Sequence, residues 1–164
     1  MHPEALAWVA KVNQRHGPYL SVLDVGGRDV NGTPRLLFPA SRYLTVDLED
    51  GPGVDVVADA TVWRPDELAD LVLCVEVLEH APDPGALIAG AWESLLPGGR
   101  LIVTCATDPR APHSGHDGAA LRGDEWYRNV APEELKGWLD PWDQVEMEVH
   151  LDRGDLYGTA VRPT

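Results

Sequence analysis

The chain has 164 residues, 44% apolar and 24% charged, which is enough for one domain with a proper core and ordinary for a globular protein. Its formal net charge is −14, with 27 acidic residues against 13 Lys and Arg, and phosphate contacts need clustered cations, so a broad nucleic-acid surface is excluded as an expectation. No apolar run approaches a membrane span and no basic-then-apolar leader opens the chain, so we expect a cytoplasmic protein with reduced core thiols at Cys74 and Cys105.

Leu6, Val9 and Ala10, with Trp8 and Val12 less neatly, repeat at helical spacing over residues 3–14, and Gly17-Pro18 stops that helix. Strand one follows at residues 21–25 and runs into Gly26-Gly27. Residues 33–38 allow only a short helix before Pro39. Strand two is expected at 43–47 and strand three at 54–58, with Asp59 just past it. Residues 63–69 read as a short helical connection, with Pro65 near its start. Leu71-Val72-Leu73-Cys74-Val75 is a continuous apolar run, the pattern of a strand buried on both faces.

Asp83-Pro84 opens a second long helix as cap and first position, and Leu87, Ile88, Ala91 and Leu95 form its buried stripe, ended by Pro97-Gly98-Gly99. Residues 101–105 are the fifth strand. Residues 106–131, rich in Pro, Gly, Asp and His, make a loop of the length usually reserved for function or disorder. A helix opens at Pro132 with Val130 or Ala131 as a poor cap, although Glu133 and Glu134 suit the positive end. Val145, Met147, Val149 and Leu151 alternate with charged residues as a half-exposed strand, and residues 152–155 turn the chain into a last strand at 156–161. Alternating β and α elements closing in a hairpin imply a single α/β domain, residues 1–164, with a mostly parallel sheet and one antiparallel strand.

An apolar strand that enters a glycine turn, followed about 20 residues on by the strand-end carboxylate Asp47, is the layout of a nucleoside site. Dinucleotides and S-adenosylmethionine both fit such a sheet. The first wants G-x-G-x-x-G so that pyrophosphate can lie on bare backbone, and Gly26-Gly27-Arg28-Asp29-Val30-Asn31-Gly32 lacks that spacing and adds an acid. The second carries a sulfonium cation and no phosphate. Asp24, Asp29, Asp47, Asp59, Glu76 and Glu79 all fall at or beyond strand ends, where acids suit a cation.

Val22-Leu23-Asp24-Val25-Gly26-Gly27, the strand-two acid Asp47, Asp59-Ala60, Val75-Glu76-Val77-Leu78-Glu79-His80 and Leu95-Leu96-Pro97-Gly98-Gly99-Arg100-Leu101 together resemble the class I S-adenosylmethionine-dependent methyltransferases, in particular the small type with Leu-Glu-His after strand four. The resemblance covers residues 20–106 well and the rest in outline. It implies a Rossmann-like, doubly wound sheet of seven strands in the order 3-2-1-4-5-7-6 with strand seven antiparallel. It also implies that Asp24, Gly26 and Gly27 surround the methionine part of the cofactor, that Asp47 holds the ribose, that Asp59 and Ala60 meet the adenine, and that Val75 and Glu76 line the amino-acid side. Arg28 and Leu48, adjoining these residues, complete the expected cofactor set. The usual D-x-G-x-G-x-G is replaced here by adjacent glycines and Arg28-Asp29, and the connection at 33–39 is short for the family.

His80 is the candidate base for a neutral hydroxyl acceptor, with a structural hydrogen-bonding role as the alternative. His113, His116, Trp126 and Tyr127 are the candidate acceptor contacts; Trp126 and Tyr127 either stack on a flat or sugar-like acceptor or anchor the loop. His113-Ser114-Gly115-His116-Asp117 shows no third distant ligand, so no metal is expected. The leading reading is methyl transfer to a small-molecule or glycan acceptor, with S-adenosylhomocysteine as product, no nucleic acid or membrane partner, and a homo-oligomer possible. A non-catalytic S-adenosylmethionine-binding or assembly module is the alternative, and a nicotinamide-dependent oxidoreductase is disfavoured by the glycine spacing.

Overall fold

The protein is described here as a computed structural model covering residues 1–39 and 41–164. In chain order it comprises α1 (Pro3–His16), β1 (Ser21–Val25), β2 (Arg42–Asp47), β3 (Val56–Val57), β4 (Ala69–Val75), α2 (Pro84–Ser94), β5 (Leu95–Ala106), α3 (Pro132–Leu139), β6 (Asp143–His150) and β7 (Asp155–Val161). Single 3-10 turns lie at Pro34–Leu37 and Leu78–His80. The strands form one sheet in the order β3-β2-β1-β4-β5-β7-β6. Strands β1 to β5 pair in parallel, while β7 is antiparallel to both β5 and β6. The expected strand order and the antiparallel seventh strand are both present.

The alternation of side chains along each strand divides the core into two layers. On one face Leu71, Leu73 and Val75 of β4 meet Val9 and Trp8 of α1, with Tyr157 and Phe38 beside them. On the other face Val72 and Cys74 meet Leu87, Ile88 and Ala91 of α2 and Leu135 and Leu139 of α3. The uninterrupted apolar run at 71–75 of β4 is thus explained by helices on both sides, each large side chain contributing about 1.5–3 kcal/mol by burial. Trp8 stacks on Tyr157 with ring centroids 5.8 Å apart, which fixes α1 against the antiparallel end of the sheet.

Several boundaries differ from the sequence reading. Residues 63–69 form no helix: Arg64 turns back on the carbonyls of Ala60 and Trp63, and Ala69 already pairs in β4. The third strand shrinks to two residues because it is an edge with a single neighbour, β2. The second helix ends at Ser94, and Leu95 opens β5, pairing with Ala69 before Pro97-Gly98-Gly99 bulges out and pairing resumes at Arg100. The segment before Pro39 is a 3-10 turn capped by the Thr33 hydroxyl. The cap of α3 is Ala131, and its poor side chain is offset by Glu134, whose carboxylate accepts the Ala131 N–H at 3.0 Å. The first helix runs on to His16, and β6 spans 143–150.

Candidate active site

The sheet order reverses between β1 and β4, and ligands of open α/β sheets sit beyond the strand ends at such a switch point. A cavity of about 1250 Å³ opens there, larger than the roughly 300–1,000 Å³ usual for one small ligand. Asp24, Gly26, Gly27, Arg28, Asp47, Leu48, Asp59, Ala60, Val75 and Glu76 all lie on its wall, as do His80, His113, His116 and Trp126. Tyr127 does not: it packs behind His80 and His113, with centroids 5.4 and 4.9 Å away, and its hydroxyl donates to Asn129.

The two glycines of the first turn are demanded by the protein behind them. Gly26 has φ +67°, and a Cβ there would lie 2.3 Å from a methyl of Val77. A Cβ on Gly27 would lie 2.4 Å from the Asp24 carboxyl. Asp24 is buried beneath this turn and accepts the Tyr43 hydroxyl at 2.7 Å; burial pushes its carboxyl up to about 7. It is therefore a prop for the turn rather than a solvated strand-end acid.

Asp47 and Asp59 face the cavity differently. Asp47 accepts the backbone N–H groups of Arg28 at 3.2 Å and Glu49 at 3.0 Å. Asp59 accepts from the Thr61 hydroxyl at 2.6 Å and backbone N–H at 2.9 Å, which hold its carboxyl below the usual range. Each carboxylate keeps lone pairs free, since two oxygens offer about four acceptor sites. Glu76 adopts φ +57°, a left-handed conformation costly for a residue with a side chain. Burial works to raise its carboxyl, but the His2 ring 3.1 Å away and the Thr104 hydroxyl at 3.0 Å hold it below the ordinary range.

His80 ends the 3-10 turn after β4. Burial first, and then the neighbouring His113, push its imidazole down to about 4, so it is neutral and carries a free lone pair at ordinary pH. Its ring meets that of His113 edge-on at 5.1 Å.

Glu79 was a strand-end acid in the sequence; the structure makes it a fully buried carboxyl that accepts the Ala106 N–H at 3.1 Å. Its other oxygen has no hydrogen-bond partner among the described residues, and burial, then the Glu76 charge, push it up to about 8. Glu79, His80 and His113 bring one donor atom each within 4.8 Å of one another, whereas the sequence offered no third ligand to the loop histidine. His116 and Asp117 turn elsewhere, to Glu49 and Arg28 and to Arg122 respectively. Sequence reasoning missed His2, which lines the cavity together with Arg110, a residue of the long loop expected to meet the acceptor; Arg110 pairs with Asp155.

The profile of a family described as a methyltransferase domain matches residues 2–143. A ubiquinone biosynthesis O-methyltransferase of Pseudomonas aeruginosa (strain UCBPP-PA14) is 29% identical over 148 residues, covering 84% of this chain; the chain spans 61% of that relative's length. The N-methyltransferase NodS of Bradyrhizobium japonicum WM9, solved in complex with S-adenosyl-l-homocysteine, superposes with a TM-score of 0.72 at 17% identity, covering 98% of this chain and 87% of that one. CalS10, an amino pentose methyltransferase of Micromonospora echinaspora solved with S-adenosylmethionine, gives 0.69 at 16% identity, covering 97% and 90%. These two likenesses are likenesses of fold. No helix among the described residues is long and apolar enough to cross a membrane.

Proposed function

The chain belongs to the methyltransferase-domain family, and we propose that it moves a methyl group from S-adenosylmethionine to a small-molecule or glycan acceptor, with S-adenosylhomocysteine as product. One observation carries this reading: a single cavity at the switch point joins the acid-lined crevice beside Gly26-Gly27 to a neutral histidine, His80. The donor set suits the cofactor. The cavity's two arginines among the described residues, Arg28 and Arg110, are already paired with Glu49 and Asp155, which leaves no free guanidinium for a pyrophosphate. Carboxylates with spare lone pairs suit ribose hydroxyls and a sulfonium instead.

When bound, S-adenosylmethionine supplies a methyl group activated on a positive sulfur. Asp47 would hold the ribose, Asp59 and Ala60 the adenine, and Val75 and Glu76 the amino-acid end, with Asp24 keeping the glycine turn in place. His80 takes up the proton of a hydroxyl acceptor as that oxygen becomes a nucleophile, a role resting on its place on the cavity wall beside His113. Its depressed value of about 4 keeps the ring neutral but makes it a weak base, which suits proton uptake in step with methyl transfer. His113 and Trp126 form the acceptor wall, and closing them over the reactants keeps water out. The two buried free thiols support a cytoplasmic setting, and the net charge of −14 argues against a nucleic-acid substrate.

A thermal melt tests the cofactor directly. S-adenosylhomocysteine should raise the melting temperature and NAD should not; stabilisation by NAD alone would sink the reading. Methyl transfer to a panel of hydroxyl and amine acceptors separates an enzyme from a binding module, which would show cofactor binding and no turnover.

A further inference from the structure

We propose that His116 is a positioning residue, a clasp that ties the acceptor-side loop to the cofactor-side wall, so that filling the crevice and building the acceptor wall become one event. This rests on the methyltransferase reading and moves His116 from acceptor contact to cofactor retention.

The clasp lies between two sets of residues that the chain keeps far apart. On one side, Arg28 follows the glycine turn and Glu49 lies two residues past Asp47; the Arg28 guanidinium donates to Glu49 at 2.7 Å, and its backbone N–H donates to Asp47. His116 Nδ1 approaches this pair from across the mouth, 3.0 Å from the Glu49 carboxylate and 3.3 Å from the Arg28 guanidinium. A weaker tie runs parallel, from the Asn31 side-chain amide to the Asp117 carbonyl at 3.4 Å.

On the other side, residues 114–119 form a knot tied by its own hydrogen bonds. Ser114 is buried; its hydroxyl donates to Glu125 at 2.7 Å and accepts the His116 N–H at 3.1 Å. Its backbone N–H and carbonyl bond to Ala119 and Gly118 at 2.9 and 2.8 Å. The His116 Nε2 lies 3.6 Å from Glu125, so the imidazole stands between two carboxylates that belong to opposite walls. The knot is flanked by His113, which meets the His80 ring, and by Trp126, which follows Glu125.

These placements fix the consequence. The groups His116 grips also frame the position assigned to the ribose, and the unit it anchors carries the acceptor wall. Ligand that orders Arg28, Asp47 and Glu49 therefore stabilises the closed loop, and by linkage the closed loop retains ligand. Half-exposed polar contacts of this kind are weak enough to break and remake, which lets the clasp open for exchange.

The experiment follows S-adenosylhomocysteine dissociation by stopped flow, together with amide hydrogen exchange over residues 113–120, in the wild type, His116→Ala, His116→Gln and Glu49→Gln. We expect ligand to protect this loop in the wild type. His116→Ala should release ligand roughly tenfold faster, within the usual range of coupling between sites, and lose the protection. His116→Gln, which restores a hydrogen-bonding arm, should recover much of both, a rescue that a merely structural defect would not predict. His116→Ala combined with Glu49→Gln should be no worse than either alone. A His116→Ala protein with the wild-type dissociation rate, or a wild-type loop that gains no protection, overturns the clasp while leaving the cofactor assignment standing. Failure of S-adenosylhomocysteine to bind the wild type overturns both. Should His116→Ala fail to fold, Asn31→Ala cuts the parallel tie and must speed release to a smaller extent; no change there also overturns the proposal.

Discussion

The two halves of the cavity are built on different principles. The half proposed for the cofactor rests on the ends of β1, β2 and β4, with Asp24, Thr45 and Val77 packed under the glycine turn, so its shape is held by the sheet itself. The half proposed for the acceptor is residues 107–131, whose form depends on side-chain ties such as Ser114 to Glu125, Asn129 to Asp108 and Arg110 to Asp155. On the proposed reading, this division suits a methyl donor held by rigid strand ends and an acceptor met by a loop.

The division can be broken most severely from the rigid side. Gly27→Val should destabilise the fold by about 3 kcal/mol or more, because its side chain meets the Asp24 carboxyl and Thr45, and calorimetry should find S-adenosylhomocysteine binding lost with it. A normal melting curve with retained binding would show that the turn is not held from behind. Next in size, His80→Gln should lower turnover of a hydroxyl acceptor by about 10²-fold or more while ligand affinity changes by less than about twofold. Equal loss of turnover and cofactor affinity would instead make His80 a structural member of both halves.

On the loop side the expected losses are smaller. Ser114→Ala removes one buried hydroxyl that both donates and accepts, and should cost about 1–2 kcal/mol in a denaturant titration, with raised amide exchange confined to the loop. If exchange rose in β1 and β4 as well, the two halves would not be separable. The last effect is one of pH. Asp24 is pushed up to about 7 in the fold from an unfolded value near 3.8, so the native state holds a proton that the unfolded chain releases between those values. Its contribution is thus full at low pH and lost as pH rises through 7. Asp24→Asn should flatten the fall in melting temperature between pH 5 and pH 8, and an unchanged slope would remove Asp24 as its source.

The alternation of strands and helices and the closing hairpin were legible because they follow from local patterns, whereas the strand order came only with the family resemblance. The uniform apolarity of residues 71–75 announced two covered faces, and Gly26-Gly27 and Asp47 marked the turn and the strand-end acid at the spacing of a nucleoside site. The missing helix at 63–69 was illegible because tertiary hydrogen bonds from Arg64 and pairing of Ala69 override a weak local preference. Tyr127 could not be told from a cavity residue, since stacking on a ligand and packing behind His80 and His113 demand the same side chain.

Composition, periodicity and turn residues by themselves determined an acidic α/β chain with a glycine turn after its first strand and carboxylates near the ends of β1 and β2 and just past β4. Only the tertiary structure decided that Asp24 supports the turn, that Glu79 lies dry beside two histidines, and that His116 reaches back across 67 residues to Glu49. The reason is physical. Hydrophobic repeat and turn chemistry act over a few neighbouring residues and are written in order along the chain, whereas burial of a charge and the partner of a loop side chain depend on what folding brings alongside it.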